Sequence, residues 1–384
     1  MADADTDTLT AEQQACLALW AVPGLGPRTL AALRAFADGS LAPLASTPVR
    51  DWVSQAPVSP QVRRRLAGVE RLPPLAERLL EACRVGHMRV AFAGQRAYPD
   101  RLREVDDAPP LLFYRGRPGL PRRRVAMVGS RHPDQGFLPF ARRFARRVAE
   151  VGIGVVSGAA AGVDRACHWG ALDAGGETWA FLGSALDALD PAQARMLPHF
   201  LDRGGVYFSE LPPGVRASTT TFPRRNRLIS GASDAVLVLR AGAKSGSLYT
   251  AEAGRAQGRP VFALPGDVTQ EAAAGCNDLL RNGHARACTG PEDVWRALGV
   301  HTGIPVTPEV KGVAAARGAA EGDAWDALSA EAKGAYEVLD RVPRTFDEVL
   351  VGSTLAPAAL ISALVELELT GLVIQHPGRL YEKV

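Results

Sequence analysis

Apolar and polar positions change their rhythm three times along the chain. Residues 11–90 carry short apolar stretches spaced for helices: 11–19, then 29–36, with Val22-Pro-Gly-Leu-Gly-Pro-Arg28 breaking the pattern between them. Proline and glycine end one helix and open the next, so this segment predicts a helical hairpin in a small helical domain. Residues 71–121 hold seven prolines, and only 88–92 and 111–114 read as strands there.

From residue 122 the pattern becomes short apolar runs alternating with helical periods. Strands are expected at 125–128, 154–157, 178–182, 205–208, 235–239 and 260–263. Between the first two, Phe140, Phe144, Val148 and Val151 share one helix face, and Arg142, Arg143, Arg146 and Arg147 share the other. A second helix is expected near 249–257. Strands that read as continuous apolar runs, separated by helices, predict a parallel sheet covered on both faces. Ligands of such sheets sit at the carboxyl ends of the strands. Residues 301–322 are rich in Pro, Gly, Ala and Val and read as a linker. Residues 323–384 then predict helices at 329–340, 345–350 and 356–369 and a two-strand return through 371–373 and 380–383, which is a winged-helix pattern. The expected fold is therefore α/β: a Rossmann-like parallel sheet over 95–300, a helical domain over 1–94, the linker, and a winged-helix domain over 323–384.

Length and composition agree. The chain has 384 residues, 47% apolar and 22% charged, which suits two or three globular domains. No apolar run reaches the ~18 residues of a transmembrane helix. The start, MADADTDTLT, lacks the features of a secretion signal. Five scattered cysteines make no disulfide framework and fit a reducing, cytoplasmic setting. Cys276, His284 and Cys288 match no common zinc spacing, so no metal or other cofactor is expected. The net charge of +3 hides an uneven split. Residues 323–384 carry ten Asp/Glu against five Lys/Arg, a charge of −5, which leaves +8 on the other 322.

Four segments carry candidate chemistry. Gly129-Ser130-Arg131 follows a strand and precedes a helix, so small residues, a helix N-terminus and a guanidinium meet. Ser157–Asp164 is a second small-residue turn, in which Gly158 allows close approach. Phe222-Pro-Arg-Arg-Asn-Arg227 is read as a third loop. Lys244-Ser245-Gly246-Ser247 precedes a helix. Neither a Gly-x-Gly-x-x-Gly after the first strand nor a Walker loop is present. Asp164 and His168 stand at i and i+4, where they can form a catalytic pair or simply cap and hydrogen-bond. Basic loops without an acid–base pair favour holding a polyanion over processing one.

The motifs GSR (129–131), SGAAAGVD (157–164), CHWGAL (167–172), SELPPG (209–214), FPRRNRLISG (222–231), KSGSLYTAEAG (244–254), GRPVFALPG (258–266) and GCNDLLRNG (275–283) resemble, in this order, the DNA-processing protein A family, DprA/Smf. The resemblance implies a non-catalytic recombination mediator that binds single-stranded DNA, loads the RecA recombinase during natural transformation, and acts as a homodimer. It also implies that the helical domain is SAM-like. Carried over motif by motif, the single-stranded-DNA site would comprise Gly129, Ser130, Arg131, Gly158, Phe222, Arg224, Asn226, Arg227, Lys244, Ser245, Gly246 and Ser247, with Phe222 either stacking on a base or packed beneath the loop, and Asn226 or Arg227 either on DNA or bracing loops. Two departures stand out. Asp190-Pro-Ala-Gln-Ala194 replaces the family's Tyr-Pro-x-x-Asn, and Arg240 stands where the family often has Glu.

Two other functions compete. A nucleotide-hydrolysing Rossmann enzyme of the lysine-decarboxylase-like type would need a carboxylate, and Glu252 and Asp267 are the nearby candidates. A duplex-binding regulator would use the winged helix. Its third helix carries Glu366 and Glu368 and no Lys or Arg, which repels phosphate and favours a protein contact, autoinhibition or a structural role.

Overall fold

The computed structural model describes residues 9–134, 136–300, 328–340, 344–369, 372–376 and 380–383. The chain forms two compact units, 1–302 and 303–384. The expected linker at 301–322 lies outside the described residues.

The first unit opens with six helices: α1 (Ala11–Trp20), α2 (Pro27–Phe36), α3 (Ala42–Ser46), α4 (Val49–Trp52), α5 (Pro60–Leu66) and α6 (Leu72–Val85). Thr10 caps α1 in a capping box with Gln13, and Gly26-Pro27 opens α2, so the hairpin forms where its punctuation placed it. These helices lie on a nine-stranded sheet of order β1-β2-β6-β5-β4-β3-β7-β8-β9. Its strands are β1 (Arg89–Phe92), β2 (Leu111–Arg115), β3 (Arg123–Gly129), β4 (Ile153–Ser157), β5 (Thr178–Phe181), β6 (Val206–Ser209), β7 (Ala235–Arg240), β8 (Val261–Ala263) and β9 (Arg286–Ala287). β1 and β2 pair antiparallel, as do β2 and β6, while β3 to β9 run parallel. The sheet thus starts at Arg89, ahead of the boundary expected at residue 95, because β1 finds its partner in β2.

Period-two alternation decides which residue meets which layer. Val125, Met127, Val155 and Leu237 face α7 (Phe137–Glu150), α8 (Val163–Asp173) and α13 (Pro291–Ala297). Ala126, Val128, Val156, Phe181, Phe208 and Val238 face the opposite layer, built on α10 (Thr221–Gly231), α11 (Leu248–Ala256) and α12 (Ala274–Arg281). The first face continues under the helical region: Leu111, Phe113, Ala180 and Tyr207 share one core with Leu17, Leu33, Leu66 and Leu72, joined by Phe200 of α9 (Pro191–Asp202). Trp20 Nε1 also donates to the Glu210 carbonyl at 2.7 Å. The helical region and the sheet therefore bury a common apolar surface.

One departure and the arginine-rich helix face resolve into local structure. Asp190 is the N-cap of α9, its carboxylate accepting from the Ala192 and Gln193 amides, with Pro191 at the first helical position. The arginine face of α7 is an ion-paired surface: Arg142 meets Asp173, Arg146 meets Glu150 and Arg147 meets Glu292.

The second unit has helices Ala330–Val338, Phe346–Ser353 and Pro357–Leu369 and strands Arg344–Thr345, Val373–His376 and Leu380–Lys383, a winged-helix arrangement with its own core of Ala332, Val349, Leu364, Leu367 and Tyr381. Glu366 accepts from the Ser329 amide at 2.9 Å and the Ser329 hydroxyl at 2.6 Å, so it ties the third helix to the start of the first. No single described helix is long and apolar enough to cross a membrane.

Candidate functional site

The chain leaves β3 toward β4 on one side and leaves β7 toward β8 on the other, so the ends of β3 and β7 form the switch point of the sheet. Loops diverging from two neighbouring strands open a crevice there. A cleft of about 820 Å³ occupies that position. It is lined from β3 by Gly129, Ser130, Arg131 and His132, from α10 by Phe222, Pro223, Arg225 and Asn226, and from the loop before α11 by Gly242–Ser247.

Tight packing holds the β3 end. The β3–β7 register shifts between Val128 and Gly129, so Gly129 pairs with Arg240. Ser130 N–H donates to the Arg240 carbonyl at 2.7 Å, and Val163 N–H donates to the Ser130 carbonyl at 3.1 Å. A Cβ on Gly129 would sit 2.8 Å from Val163. Gly162, at φ +82°, closes the turn where a side chain would strike the Ser130 carbonyl. The Ser130 amide is therefore spent inside the protein, and so is that of Gly129, which donates to Asp164 at 3.4 Å. The groups this turn presents to the cleft are the Ser130 hydroxyl and Arg131.

The pair Asp164 and His168 is structural. Asp164 accepts from Gly129 N–H at 3.4 Å and Gly158 N–H at 3.1 Å, joining the turns after β3 and β4. Burial raises its carboxyl pKa, and Arg225 together with those two amides pulls it back. His168 is fully buried. Thr178 spends its hydroxyl proton on the Val155 carbonyl at 3.0 Å, so it receives the His168 Nδ1 proton at 2.7 Å, and Nε2 accepts from Ala159 N–H at 3.3 Å. Burial, with Arg225 and Arg165 nearby, lowers the imidazole pKa to about 3. A neutral imidazole with both nitrogens engaged is no general base at neutral pH.

The Phe-Pro-Arg-Arg-Asn-Arg segment, expected as a loop, forms the first turns of α10, because the loop after β6 is already spent on 210–220. Helical spacing then separates its residues. Arg224 points to solvent outside the cleft lining. Arg225, which sequence reasoning missed, is buried on the core-facing side with Leu228 and Ile229. Leu228 and Ile229, three and four positions after Arg225, are apolar, and that helical spacing was the available signal. Its guanidinium donates to the Gly158 carbonyl at 2.7 Å, to the Phe181 carbonyl, and to Asn226 Oδ1 at 3.1 Å. Burial lowers its pKa to about 10, with Asp164 opposing and Arg131 reinforcing the fall, so it stays charged at neutral pH. Asn226 in turn donates to the Gly246 carbonyl at 3.2 Å. Arg225 and Asn226 thus chain the ends of β4 and β5 to the loop before α11.

Three other expected site residues have structural roles. Gly158 is absent from the cleft lining, and a Cβ on it would lie 2.6 Å from the Arg225 guanidinium, so glycine is required there by Arg225. Arg227 turns away to Glu210 at 2.7 Å and Asp107 at 2.9 Å. Phe222 is half-buried, with Arg131 stacked over its ring at 5.2 Å and Gly183 packed against it. Arg240 also faces away from the cleft, donating to Asp134 at 2.6 Å and to Gln270. That charge reversal therefore acts on the support of the site.

Nine expected residues remain at the cleft: Gly129, Ser130, Arg131, Phe222, Asn226, Lys244, Ser245, Gly246 and Ser247. Arg131 and Lys244 are exposed and, among the described residues, have no carboxylate partner. The carboxylates lining the cleft are Asp164, buried and engaged, and Glu271, exposed. Neither Glu252 nor Asp267 lines it, and Asp267 accepts from the Thr269 amide and hydroxyl. Among the described residues no cluster of His, Cys, Asp or Glu could hold a metal ion.

The comparisons with known proteins fit this arrangement. Residues 89–299 match the family model described as DNA recombination-mediator protein A, and residues 319–379 match the DprA winged helix domain. A putative DNA processing protein DprA of Mycobacterium tuberculosis is 38% identical over 294 residues, 76% of this chain and 73% of that protein. The DNA processing protein DprA of Streptococcus pneumoniae is 38% identical over 204 residues, 51% of this chain and 70% of that protein. The crystal structure of DprA from Streptococcus pneumoniae superposes with a TM-score of 0.62 at 29% identity, covering 75% of this chain and 98% of that one. A DNA processing protein A structure from Helicobacter pylori, described for its single-stranded DNA binding mode, gives 0.50 at 26% identity, covering 56% and 99%. A family model that spans the whole sheet from β1 to β9, together with a relative 38% identical over 76% of the chain, shows that the chain belongs to the DNA recombination-mediator protein A family, that of DprA and Smf.

Proposed function

We propose that this chain binds single-stranded DNA in the cleft between the ends of β3 and β7, without turnover, and delivers it to the RecA recombinase as a cytoplasmic homodimer. The observation that carries the DNA reading is electrostatic. Arg131 and Lys244 line one cleft from the segments after β3 and β7, with no carboxylate partner among the described residues, and Arg225 adds a buried positive charge to the same lining. Three cations against one exposed carboxylate, Glu271, leave the cleft positive, and a positive cleft with low-dielectric walls concentrates a polyanion. Phe222 holds the Arg131 guanidinium in place, and Ser245 and Ser247, whose hydroxyls bond each other at 2.8 Å, stand at the helix N-terminus of α11. The single-stranded DNA described for the Helicobacter pylori relative supports the choice of ligand. RecA delivery and the dimer rest on the family resemblance, and a dimer would let one strand cross two clefts with a gain in avidity.

The test is fluorescence anisotropy with a labelled strand of about 35 nucleotides and its duplex, over a salt series. The wild-type chain should prefer the single strand, with a salt slope of about −0.7 per neutralised phosphate. Arg131→Ala and Lys244→Ala should each weaken binding by about 1.5–3 kcal/mol and flatten the slope by less than one. Equal binding of both DNA forms, with neither substitution felt, would refute the site.

A further inference from the structure

We propose that Tyr249 is the base-stacking platform of the cleft and the residue through which it distinguishes single strands from duplex; this rests on the single-stranded-DNA reading of the same site. Tyr249 is the second residue of α11 and lines the cleft five positions after Lys244. Its side chain is 56% exposed. Among the described residues the other exposed Phe, Tyr or Trp is Phe36 in the helical region, at 38%. An isolated exposed ring needs no explanation. A ring left open to water on the wall of a cationic cleft is different, since burying its face against another π-face recovers apolar area that nothing in the protein covers.

Phe222 is the other Phe, Tyr or Trp ring lining the cleft, beside the smaller exposed imidazole of His132, and it is committed. Arg131 lies over it at 5.2 Å, and Gly183 packs so closely that a Cβ there would come within 2.9 Å of the ring. A base reaching Phe222 would have to displace Arg131, losing a phosphate contact to gain a stacking one. Tyr249 offers a face without that exchange.

Charge divides the lining in the same sense. Arg131 and Lys244 attract phosphate, whereas the exposed Glu271 repels it. A strand passing along the cleft sets its phosphates toward the two cations and leaves its uncharged parts for the rest of the wall. Unpaired bases can turn outward onto an aromatic ring, and every base has a π-face, so such stacking tolerates any sequence. In a duplex both faces of each base are already stacked, while the phosphates remain available. The cations therefore set affinity for both forms, and Tyr249 sets the difference between them.

The experiment compares the full-length wild type with Tyr249→Ala, Tyr249→Phe and Arg131→Ala on a labelled single strand of about 35 nucleotides, its duplex, and an abasic strand of the same length. Tyr249→Ala should bind the single strand about 5- to 100-fold more weakly, with duplex affinity and salt slope unchanged. Tyr249→Phe should bind as the wild type, and the abasic strand should bind wild type and Tyr249→Ala alike. Because Tyr249 is exposed, all variants should melt together. The proposal is overturned if Tyr249→Ala leaves single-strand affinity intact, or lowers single-strand and duplex affinity equally, while Arg131→Ala still weakens binding; the cleft then stands and Tyr249 does not. If Arg131→Ala also has no effect, the cleft assignment itself fails and this proposal with it.

Discussion

Acidification should unlock the turn after β4 through a single side chain, His168. Its ring is neutral, fully buried, and bonded at both nitrogens: it donates to Thr178 and accepts from Ala159 N–H. Protonation places a second hydrogen where the Ala159 amide already points one, and adds charge beside Arg225 and Arg165. The folded pKa of about 3 lies below the ordinary 6.5. A group held below its unfolded pKa stabilises the fold above that unfolded value, and the benefit is lost as pH falls toward the folded value. Each pH unit in that window is worth about 1.4 kcal/mol, or about 5 kcal/mol over the whole interval. Small domains have only about 5–15 kcal/mol in hand.

The assay is urea unfolding by tryptophan fluorescence between pH 7.5 and 4.5, comparing wild type with His168→Asn. The asparagine amide can still donate to Thr178, but it loses the Ala159 contact and the edge-to-face packing on Phe200 at 5.3 Å. At pH 7.5 the variant should be weaker by about 2–3 kcal/mol. Lowering the pH from 6.5 to 4.5 should then cost the wild type about 2 kcal/mol that the variant does not lose, so the two curves converge. Asp164 acts in the opposite direction, since its raised carboxyl pKa makes stability fall as pH rises through the carboxylate range, but both proteins carry it and it cancels. Parallel curves across this range would refute the neutral, doubly bonded histidine. Activity that titrated with a group near pH 7 and vanished in His168→Asn would further contradict a purely structural pair.

Gly158→Ala should destabilise the first unit by about 1–3 kcal/mol, because its Cβ meets the Arg225 guanidinium; calorimetry showing an unchanged melting point would mean that Arg225 yields without cost. Arg227→Ala should cost about 3 kcal/mol by leaving the buried Glu210 unpaired, yet keep the salt slope of DNA binding, the reverse of Arg131→Ala; a flattened slope would put Arg227 on the DNA. A fragment of 323–384 should shift neither duplex nor single strand at about 150 mM salt, since its third helix has acidic residues and no basic ones; tight duplex binding would revive the regulator reading.

The order of elements was legible because each carries its own local signal. The helical hairpin follows from its Pro-Gly-x-Gly-Pro break, and each parallel strand from an apolar run. The position of the cleft was legible too, since loops at the carboxyl ends of strands around a switch point must diverge. Assigning side chains to ligand or scaffold was harder. Gly129, Ser130, Gly158, Arg224, Arg225, Asn226 and Arg227 are alike in composition to the residues of any anion site, and composition does not say which way a group faces. Once Thr221 begins a helix, successive residues rotate by about 100°, so the four polar residues from Arg224 to Arg227 cannot share one surface.

That rotation divides the labour of the site. Arg225 enters the core because three acceptors wait there, the carbonyls of Gly158 and Phe181 and the side chain of Asn226, and a guanidinium is the side chain that can satisfy several at once. Gly158 is then required by Arg225, and Asp164 joins the amides of Gly129 and Gly158 in front of that charge. A substitution at any of these positions would weaken DNA binding without removing a DNA contact, by letting the turns after β3 and β4 drift apart. Loss of binding alone therefore cannot assign a residue to the interface. The salt slope can: a residue that meets phosphate changes the number of counterions released, and a residue that only holds the loops changes affinity at constant slope. On that criterion Arg131→Ala and Lys244→Ala should flatten the slope, and substitutions at Gly158, Asp164, Arg225 and Arg227 should leave it unchanged.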